Sequence, residues 1–409
     1  MKIAVIGAGL AGLVAANELS EYAKVKVYED SQIGGLVSSY YVNGYYIEKF
    51  YHHIFRFDRD LLDLISKLKL RSKLVWKVVK IGFGLNGEIY SLSTPTEIIT
   101  YPHLNFIEKL KLALFTLKSR RRNFKKYDNV TALDGIRNEL GEGVLKNFFL
   151  PLLKSKFGEN YKNVSYSWLL ARVAIRSNRK LTGEELGYLR HGFYQLIERL
   201  AQNVDIIKKR GNIRLRSKWQ VNGEDFDAVI YTAPILHLAN RFKFNLPNIK
   251  YQSSICALIG LKEPLTNDLY WINIVDNLPF GAIIEHTNFM DFNDYGEHLI
   301  YLASYTSPDS KLFNLDKNSL IKIFLSGIKK YGIDVTSIKW VKLSKAKYSG
   351  PIYETGYLSK VTPYKIYDGF YIAGMTSEPN YPERSMNGSI KAGFEVSRIV
   401  KKDFQLSSR

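Results

Sequence analysis

The sequence predicts an α/β fold in which a parallel-sheet nucleotide-binding domain is assembled from both ends of the chain, with an α+β middle inserted between them. Three observations predict it. The opening stretch MKIAVIGAGLAGLVAANEL reads as apolar strand, glycine turn and helix. The closing stretch DGFYIAGMTSEPNYPERSMNGSIKAGFEVSRIV repeats strand, glycine turn and helix. The whole chain has 409 residues, 46% hydrophobic, enough to bury two cores.

The first unit is the most explicit. Residues 2–7 read as a buried parallel strand, 10–22 as a helix and 25–29 as the next strand. The turn is Gly7-Ala8-Gly9-Leu10-Ala11-Gly12. Gly7 permits the tight bend, Gly9 lets the backbone approach a pyrophosphate, and Gly12 lets helix and strand pack closely. The helix N-terminus then offers unpaired N–H groups to the phosphates. Glu29 ends the second strand about 20 residues on, where a carboxylate accepts ribose hydroxyls, with Asp30 beside it. Gly34-Gly35-Leu36 follow at once and suit a cofactor whose second half runs past this unit. An Asn43-Gly44 turn between SSYYV and YYIEKF predicts a tight hairpin, which carries FYHHIFRFD back toward the cofactor. A neutral imidazole of His52 or His53 there can donate a hydrogen bond or take up a proton near neutral pH. The alternative is one histidine in the core and the other on the surface; both readings stay open.

From about 58 to 185 the texture is helical, with DRDLLDLISKL, NFIEKLKLALFTLKSRRRNFKKY, TALDGIRNELG and YSWLLARVAIRS as the amphipathic segments. In the second of these Phe106, Leu110, Ala113, Leu114 and Leu117 share a face. That face reads as a cap helix packed on the core, ahead of docking on an anionic membrane through the cationic KSRRRNFKK that ends it. HGFYQLIERLAQ at 191–202 is a helix and FDAVIYTAP at 226–234 a strand with its turn. CALIGL and HLIYLASY are further strands, 370–373 another, and the last helix starts near 387.

Composition narrows the classes. Lys and Arg number 58 against 39 Asp and Glu, a formal net charge of +19, which favours anionic partners without choosing among them. A nucleic-acid role is not expected, since the cationic run is short and no recognition fold accompanies it. The single cysteine, Cys256, excludes an internal disulfide framework and fits a reducing, cytoplasmic setting; it reads as an inert core residue. The apolar start is no export signal, no run approaches bilayer length, and no repeat is seen. No metal site is expected, because no His-x-x-x-His pair stands on a helix and Cys256 has no ligand partner.

Taken together, VIGAGLAGLVAANEL, VYED, GGLVSSY and YIAG...NGSIKAGFEVS resemble the FAD-dependent superfamily of flavin amine oxidases, protoporphyrinogen oxidase and phytoene desaturases. The resemblance implies a Rossmann-like FAD-binding domain in three pieces, 1–57, 186–240 and 361–409. It implies a helical substrate or cap region at 58–185 and substrate-domain strands at 241–360. FAD, held noncovalently for want of an attachment cysteine near the C-terminus, would take hydride from a small organic substrate, lipid-like ones included. Gly7, Gly9 and Gly12 would hold the diphosphate and Glu29 the ribose, with Gly34 and Gly35 along the cofactor's path. Gly374, Asn387 and Gly388 would lie against the ribityl chain and pyrimidine ring. Met375 stands where an acid is usual, so only its backbone N–H is left for that contact. His53 is preferred over His52 as the catalytic imidazole, because HIF is the part shared with related flavoenzymes.

HHIF followed by an amphipathic helix is also similar to UDP-galactopyranose mutases, flavoenzymes without net redox change. Rab GDP-dissociation inhibitors, lipid-carrying binding proteins of similar architecture, are a third reading. Weaker substrate-side candidates are Tyr353 in GPIYETGY and His286, with Glu285, in AIIEHTNF; a solvent-facing strand end is expected for the latter pair.

Overall fold

The computed structural model describes residues 1–119, 121–176, 179–180, 182–239, 242 and 244–406. Among them, a six-stranded sheet runs in the order Lys365–Tyr367, Phe370–Ile372, Ala228–Tyr231, Lys2–Ile6, Lys24–Tyr28, Asp205–Ile207. Its strands are parallel except for the edge strand Lys365–Tyr367. Ile6 pairs with Tyr28 on one side and Tyr231 on the other, and Tyr231 with Ile372, so the carboxyl ends of these strands line up along one edge. That edge is where an open parallel sheet leaves a crevice for ligands. The apolar runs IAVI and AVIY are buried throughout, as a sheet covered on both faces requires.

One face is covered by the first helix, Leu10–Ser20, and the last, Met386–Asp403. Their approach depends on glycine: a Cβ on Gly393 would stand 2.7 Å from the Ala11 carbonyl oxygen. Ile213, Trp219, Val221 and Phe226 of a three-stranded sheet cover the other face. The Asn43-Gly44 hairpin joins Ser39–Val42 to Tyr45–Glu48, with φ of 47° and 91° at the turn, as the sequence predicts.

A second, mainly antiparallel sheet is built on Tyr251–Leu261, whose every residue is buried between Ile338–Pro351 and His298–Thr306. It continues through Ala282–Glu285 and Leu269–Ile274 to Leu74–Leu85 and Gly183–Leu189. Leu74–Leu85 and Glu88–Ser91 fall inside the stretch expected to be helical. The reason is local: the β-branched, apolar VWKVVKIGF is followed by Asn86-Gly87, with φ of 58° and 81°, which closes a hairpin. The helices Arg59–Lys67, Phe106–Ser119, Ala132–Leu140 and Tyr166–Arg176 do form where the four amphipathic segments lie, the last residue of YSWLLARVAIRS being outside the described residues, and Leu150–Phe157 is a further helix.

The packing of Phe106–Ser119 differs from expectation. Phe115 and Ser119 are its buried residues. The face expected to meet the core is outward: Phe106 is 73% exposed, Leu110 52%, Leu114 47% and Leu117 75%, with Ile107 at 65%. Phe115, one position beyond Leu114, fills the groove between Phe149 and Tyr166, and its insertion turns the longer apolar stripe to solvent. No helix among the described residues is long and apolar enough to cross a membrane.

Candidate functional site

A cavity of about 870 Å³ opens at the carboxyl edge of the parallel sheet and runs to the second sheet and the helical region. Gly7, Gly9, Leu10, Ala11, Gly12, Glu29, Asp30, Gly34, Gly35, Leu36, Gly374 and Met375 border it, as do His52, His53 and Tyr353. The topology thus brings residues from both chain ends onto one chamber of a size typical of small-molecule sites.

At its outer end the glycine turn is fixed by contacts that a side chain would break. Gly7 has φ +105°, and a Cβ on Gly12 would lie 2.0 Å from the Gly7 carbonyl oxygen. The Thr232 hydroxyl donates to the Ile6 and Gly7 carbonyls at 2.9 and 3.1 Å. A Cβ on Gly9 would meet nothing within 4 Å, so the backbone there faces open space. The first helix starts at Leu10 with no side-chain cap, leaving its first N–H groups for an anion. Glu29 accepts from the Ala8 N–H at 2.9 Å with one oxygen, and from the Ser31 N–H at 2.9 Å and the Ser31 hydroxyl at 2.6 Å with the other. A carboxylate oxygen takes more than one donor, so Glu29 keeps capacity for ribose hydroxyls. Gly34 donates to the Ala8 carbonyl at 2.7 Å, and both Gly34 and Gly35 adopt positive φ, which lays the strip beside Gly9. These features fit a dinucleotide.

The histidine stretch forms the next part of the wall. His52 Nδ1 lies 2.6 Å from the Phe50 carbonyl, and His53 Nδ1 3.2 Å from the Tyr270 hydroxyl. Burial pushes the His52 imidazole down to about 4; the Phe50 carbonyl opposes this, and the nearby Arg384 charge adds to it. His52 is therefore neutral at physiological pH. His53 packs edge-on against Phe55, Tyr270 and Trp271. Asp58 also borders the cavity and accepts from the Phe55 N–H at 2.8 Å; burial raises its carboxyl to about 6.

Several expected residues stand elsewhere. Ala8 is fully buried and contributes its N–H to Glu29. Asn387 turns away from the cavity: its amide oxygen accepts from the Leu61 N–H at 3.0 Å and its nitrogen donates to Asp60 at 3.2 Å, capping the helix Arg59–Lys67. Gly388 is packed under the preceding loop, where a Cβ would lie 2.4 Å from Asn380 Oδ1. His286 lies outside the cavity, buried with Nε2 at 2.8 Å from the Tyr295 hydroxyl, and burial drives it down to about 3. Glu285 is not a solvent-facing strand end either; it is fully buried, accepting from the Leu265 and Thr266 N–H groups and the Thr266 hydroxyl. Tyr353 does border the cavity, and its hydroxyl donates to the Asn380 carbonyl. Cys256 is buried and also reaches the wall, with burial holding its thiol well above the usual range.

The sequence reading missed Lys156, Arg172 and Arg384, which border the inner end. The available signal was Arg172 in the same helical row as Trp168, one turn on within an otherwise apolar helix.

The family profile described as flavin containing amine oxidoreductase matches residues 10–401. The chain belongs to that family. It is accordingly a flavin-dependent oxidoreductase, and the complete glycine turn with Glu29 agrees with a bound flavin dinucleotide. Solved structures of the same fold include a protein of Exiguobacterium sp. 255-15 provisionally assigned as a protoporphyrinogen oxidase, at TM-score 0.79 and 18% identity, covering 98% of this chain and 99% of that one. Reduced UDP-galactopyranose mutase aligns at TM-score 0.75 and 19% identity, over 100% and 96% of the two chains. Cyclohexylamine oxidase from Brevibacterium oxydans IH-35A aligns at 0.73 and 13%, over 99% of both. At these identities the likeness is one of fold. No curated protein sequence matches the chain.

Proposed function

We propose that this protein is an oxidoreductase of the oxidase, dehydrogenase or desaturase type, with noncovalent FAD, acting on a small organic substrate. The observation that carries this reading is the meeting of the glycine turn, Glu29 and the His52-His53 pair on one chamber. When bound, the flavin supplies hydride acceptance and passes the electrons to an acceptor. The chain's own groups do the rest. Backbone N–H groups at Gly9 and the first helix hold the diphosphate, Glu29 the ribose, and the Gly34-Gly35-Leu36 strip with Gly374 and the Met375 backbone line the remaining path. Tyr51, Trp271 and Tyr353 wall the substrate space and exclude water. His53 is positioned to take or hold a proton at Nε2, while Nδ1 is oriented by Tyr270. We assign 1–57, 186–240 and 361–409 to the FAD-binding part, and 58–185 with 241–360 to the substrate part.

The exposed stripe of Phe106–Ser119 supports an extension of the same reading. Its large apolar side chains point outward beside exposed Lys111, Lys118, Arg121, Lys125 and Lys126. Apolar insertion combined with cationic flanks suits an anionic bilayer surface and delivery of a lipid-like substrate.

The test is anaerobic mixing of holoenzyme with substrate panels while the flavin absorbance is followed. Bleaching without added reductant is the expected result; purified protein that holds no flavin even after reconstitution overturns the reading. A mutase-like second reading is favoured by His52, His53 and Phe55 of HHIF bordering the cavity. It requires reduced enzyme to isomerise a nucleotide sugar while oxidised enzyme accepts hydride from none.

A further inference from the structure

The inner end of the cavity carries positive charge that the proposed reaction does not use. Lys156 comes from the end of Leu150–Phe157, Arg172 from Tyr166–Arg176, and Arg384 from the loop before the last helix. Lys156 Nζ lies 5.0 Å from the Tyr305 ring centre and 5.2 Å from that of Trp168. Arg172 Nη1 is 3.5 Å from Glu383 Oε1, a loose pairing. The other oxygen of Glu383, Oε2, is buried and has no hydrogen-bond partner among the described residues. The Arg384 side chain lies across Gly350, where an added Cβ would stand 2.1 Å from its Nε.

The charges do not balance. Among the described residues that border the chamber, Lys49, Lys156, Arg172, Arg210, Lys345, Lys347 and Arg384 stand against the carboxyl groups of Glu29, Asp30, Asp58 and Glu383, and Lys156, Arg172 and Arg384 reach its inner end from three separate elements. Like charges in a chamber screened from water repel strongly, and arginine is the residue suited to planar oxyanions. Glu383 Oε2 still lacks a donor, so an occupant carrying both an anionic group and a hydroxyl or N–H would complete the set. The cluster also adjoins the reacting end of the chamber, since Arg384 acts electrostatically on His52 and Arg172 on Tyr51.

We propose that the substrate is an acidic molecule, bearing phosphate or carboxylate, whose anionic group is held by Lys156, Arg172 and Arg384 with its body against Tyr305 and Trp168. This rests on the oxidoreductase reading of the same cavity. It separates the protein from enzymes that take cationic amines, because a protonated amine placed here would face three like charges. Carboxylate and phosphate share the recognising chemistry, and the experiment separates them.

The holoenzyme is titrated at constant ionic strength with pyrophosphate, benzoate and benzylamine, following flavin absorbance, thermal melting and retention of FAD. The anions are expected to bind at least roughly tenfold more tightly than benzylamine, and Lys156→Gln/Arg172→Gln to weaken them by roughly tenfold or more with FAD retained. Pyrophosphate ahead of benzoate identifies a phosphate site, the reverse a carboxylate site. Gly350→Ala, which displaces Arg384 without removing a charge, is expected to weaken the anions as well, and Arg172→Lys to keep most of the affinity. Should the double variant not fold, Lys156→Gln and Gly350→Ala alone decide. Benzylamine binding as tightly as the anions, or anion affinity unchanged in the variants, overturns the proposal. Anion binding by an enzyme whose flavin no acidic donor reduces sinks the oxidoreductase reading and leaves the site. Rapid flavin reduction by an amine, unchanged in the double variant, does the reverse.

Discussion

Gly12 and Gly7 are in such close contact that a Cβ on Gly12 would stand 2.0 Å from the Gly7 carbonyl oxygen. Neither side can yield cheaply, because Gly7 is held by the Thr232 hydroxyl and its N–H donates to the Tyr28 carbonyl at 2.9 Å. Gly12→Ala is expected to destabilise the protein by about 1–3 kcal/mol or more through overpacking and to lower flavin retention. Thermal melting with flavin quantitation checks it; a wild-type melting point with full flavin would contradict the close-packing account.

Glu29→Ala is expected to weaken FAD by roughly ten- to a hundredfold, the loss of charge-assisted bonds worth on the order of 1.5–3 kcal/mol. Glu29 also fastens the Ala8 N–H, so a modest drop in melting temperature should accompany it. Unchanged FAD affinity in a fluorescence titration would reduce Glu29 to a brace for the turn.

His53→Ala is expected to slow substrate reduction of the flavin by about 10²–10⁴ while FAD stays bound, the usual worth of a positioned acid–base group. Rapid-reaction absorbance under anaerobic conditions reads the rate directly. Since His52 is held near 4, its titration should leave no inflection in the rate between pH 5 and 8. A wild-type rate in His53→Ala would make the pair a scaffold.

His286 gives a stability prediction with a definite sign. Its imidazole is pushed from 6.5 down to about 3 by burial, so between those values the unfolded chain binds a proton that the folded chain does not. Stability is then full above about pH 6.5 and falls as the pH drops toward 3. The melting temperature of His286→Gln should lie closest to wild type at low pH and furthest below it near neutrality. Parallel melting curves for the two proteins across pH 7 to 4.5 would count against this.

At the outward stripe of Phe106–Ser119, Leu110→Asp/Leu114→Asp should abolish flotation with anionic vesicles and leave melting nearly unchanged, because both side chains are already half exposed or nearly so. Wild-type protein that fails to float at low salt would remove bilayer docking; a concentration-dependent dimer lost in the variant would assign the stripe to a second copy instead.

The parts legible in sequence were those fixed by short-range rules. The glycine turn, Glu29 and the Asn43-Gly44 hairpin each need particular backbone angles or one carboxylate at one strand end, and these leave local marks. Asn86-Gly87 leaves the same mark, but inside a stretch whose texture is otherwise helical. Asn387 could not be read locally: whether its amide meets a cofactor or the Leu61 N–H depends on where a helix several hundred residues earlier packs. The outward turn of Leu110, Leu114 and Leu117 was hidden for a similar reason, since periodicity finds a stripe but not what lies opposite it. Lys156, Arg172 and Arg384 come from separate elements and share no spacing at all.

The seating of Met386–Asp403 on Leu10–Ser20, and of Phe370–Ile372 beside Ala228–Tyr231, has a consequence for biosynthesis. The glycine turn emerges from the ribosome long before Phe370–Ile372 and Met386–Asp403, the strand and helix that complete its sheet. Contacts of such sequence separation close late, and until they do the apolar faces of the early strand and helix stay open to misassociation. Cofactor loading is therefore expected to wait for those later segments, and its yield on overexpression should respond to chaperone capacity and growth temperature more than to flavin supply.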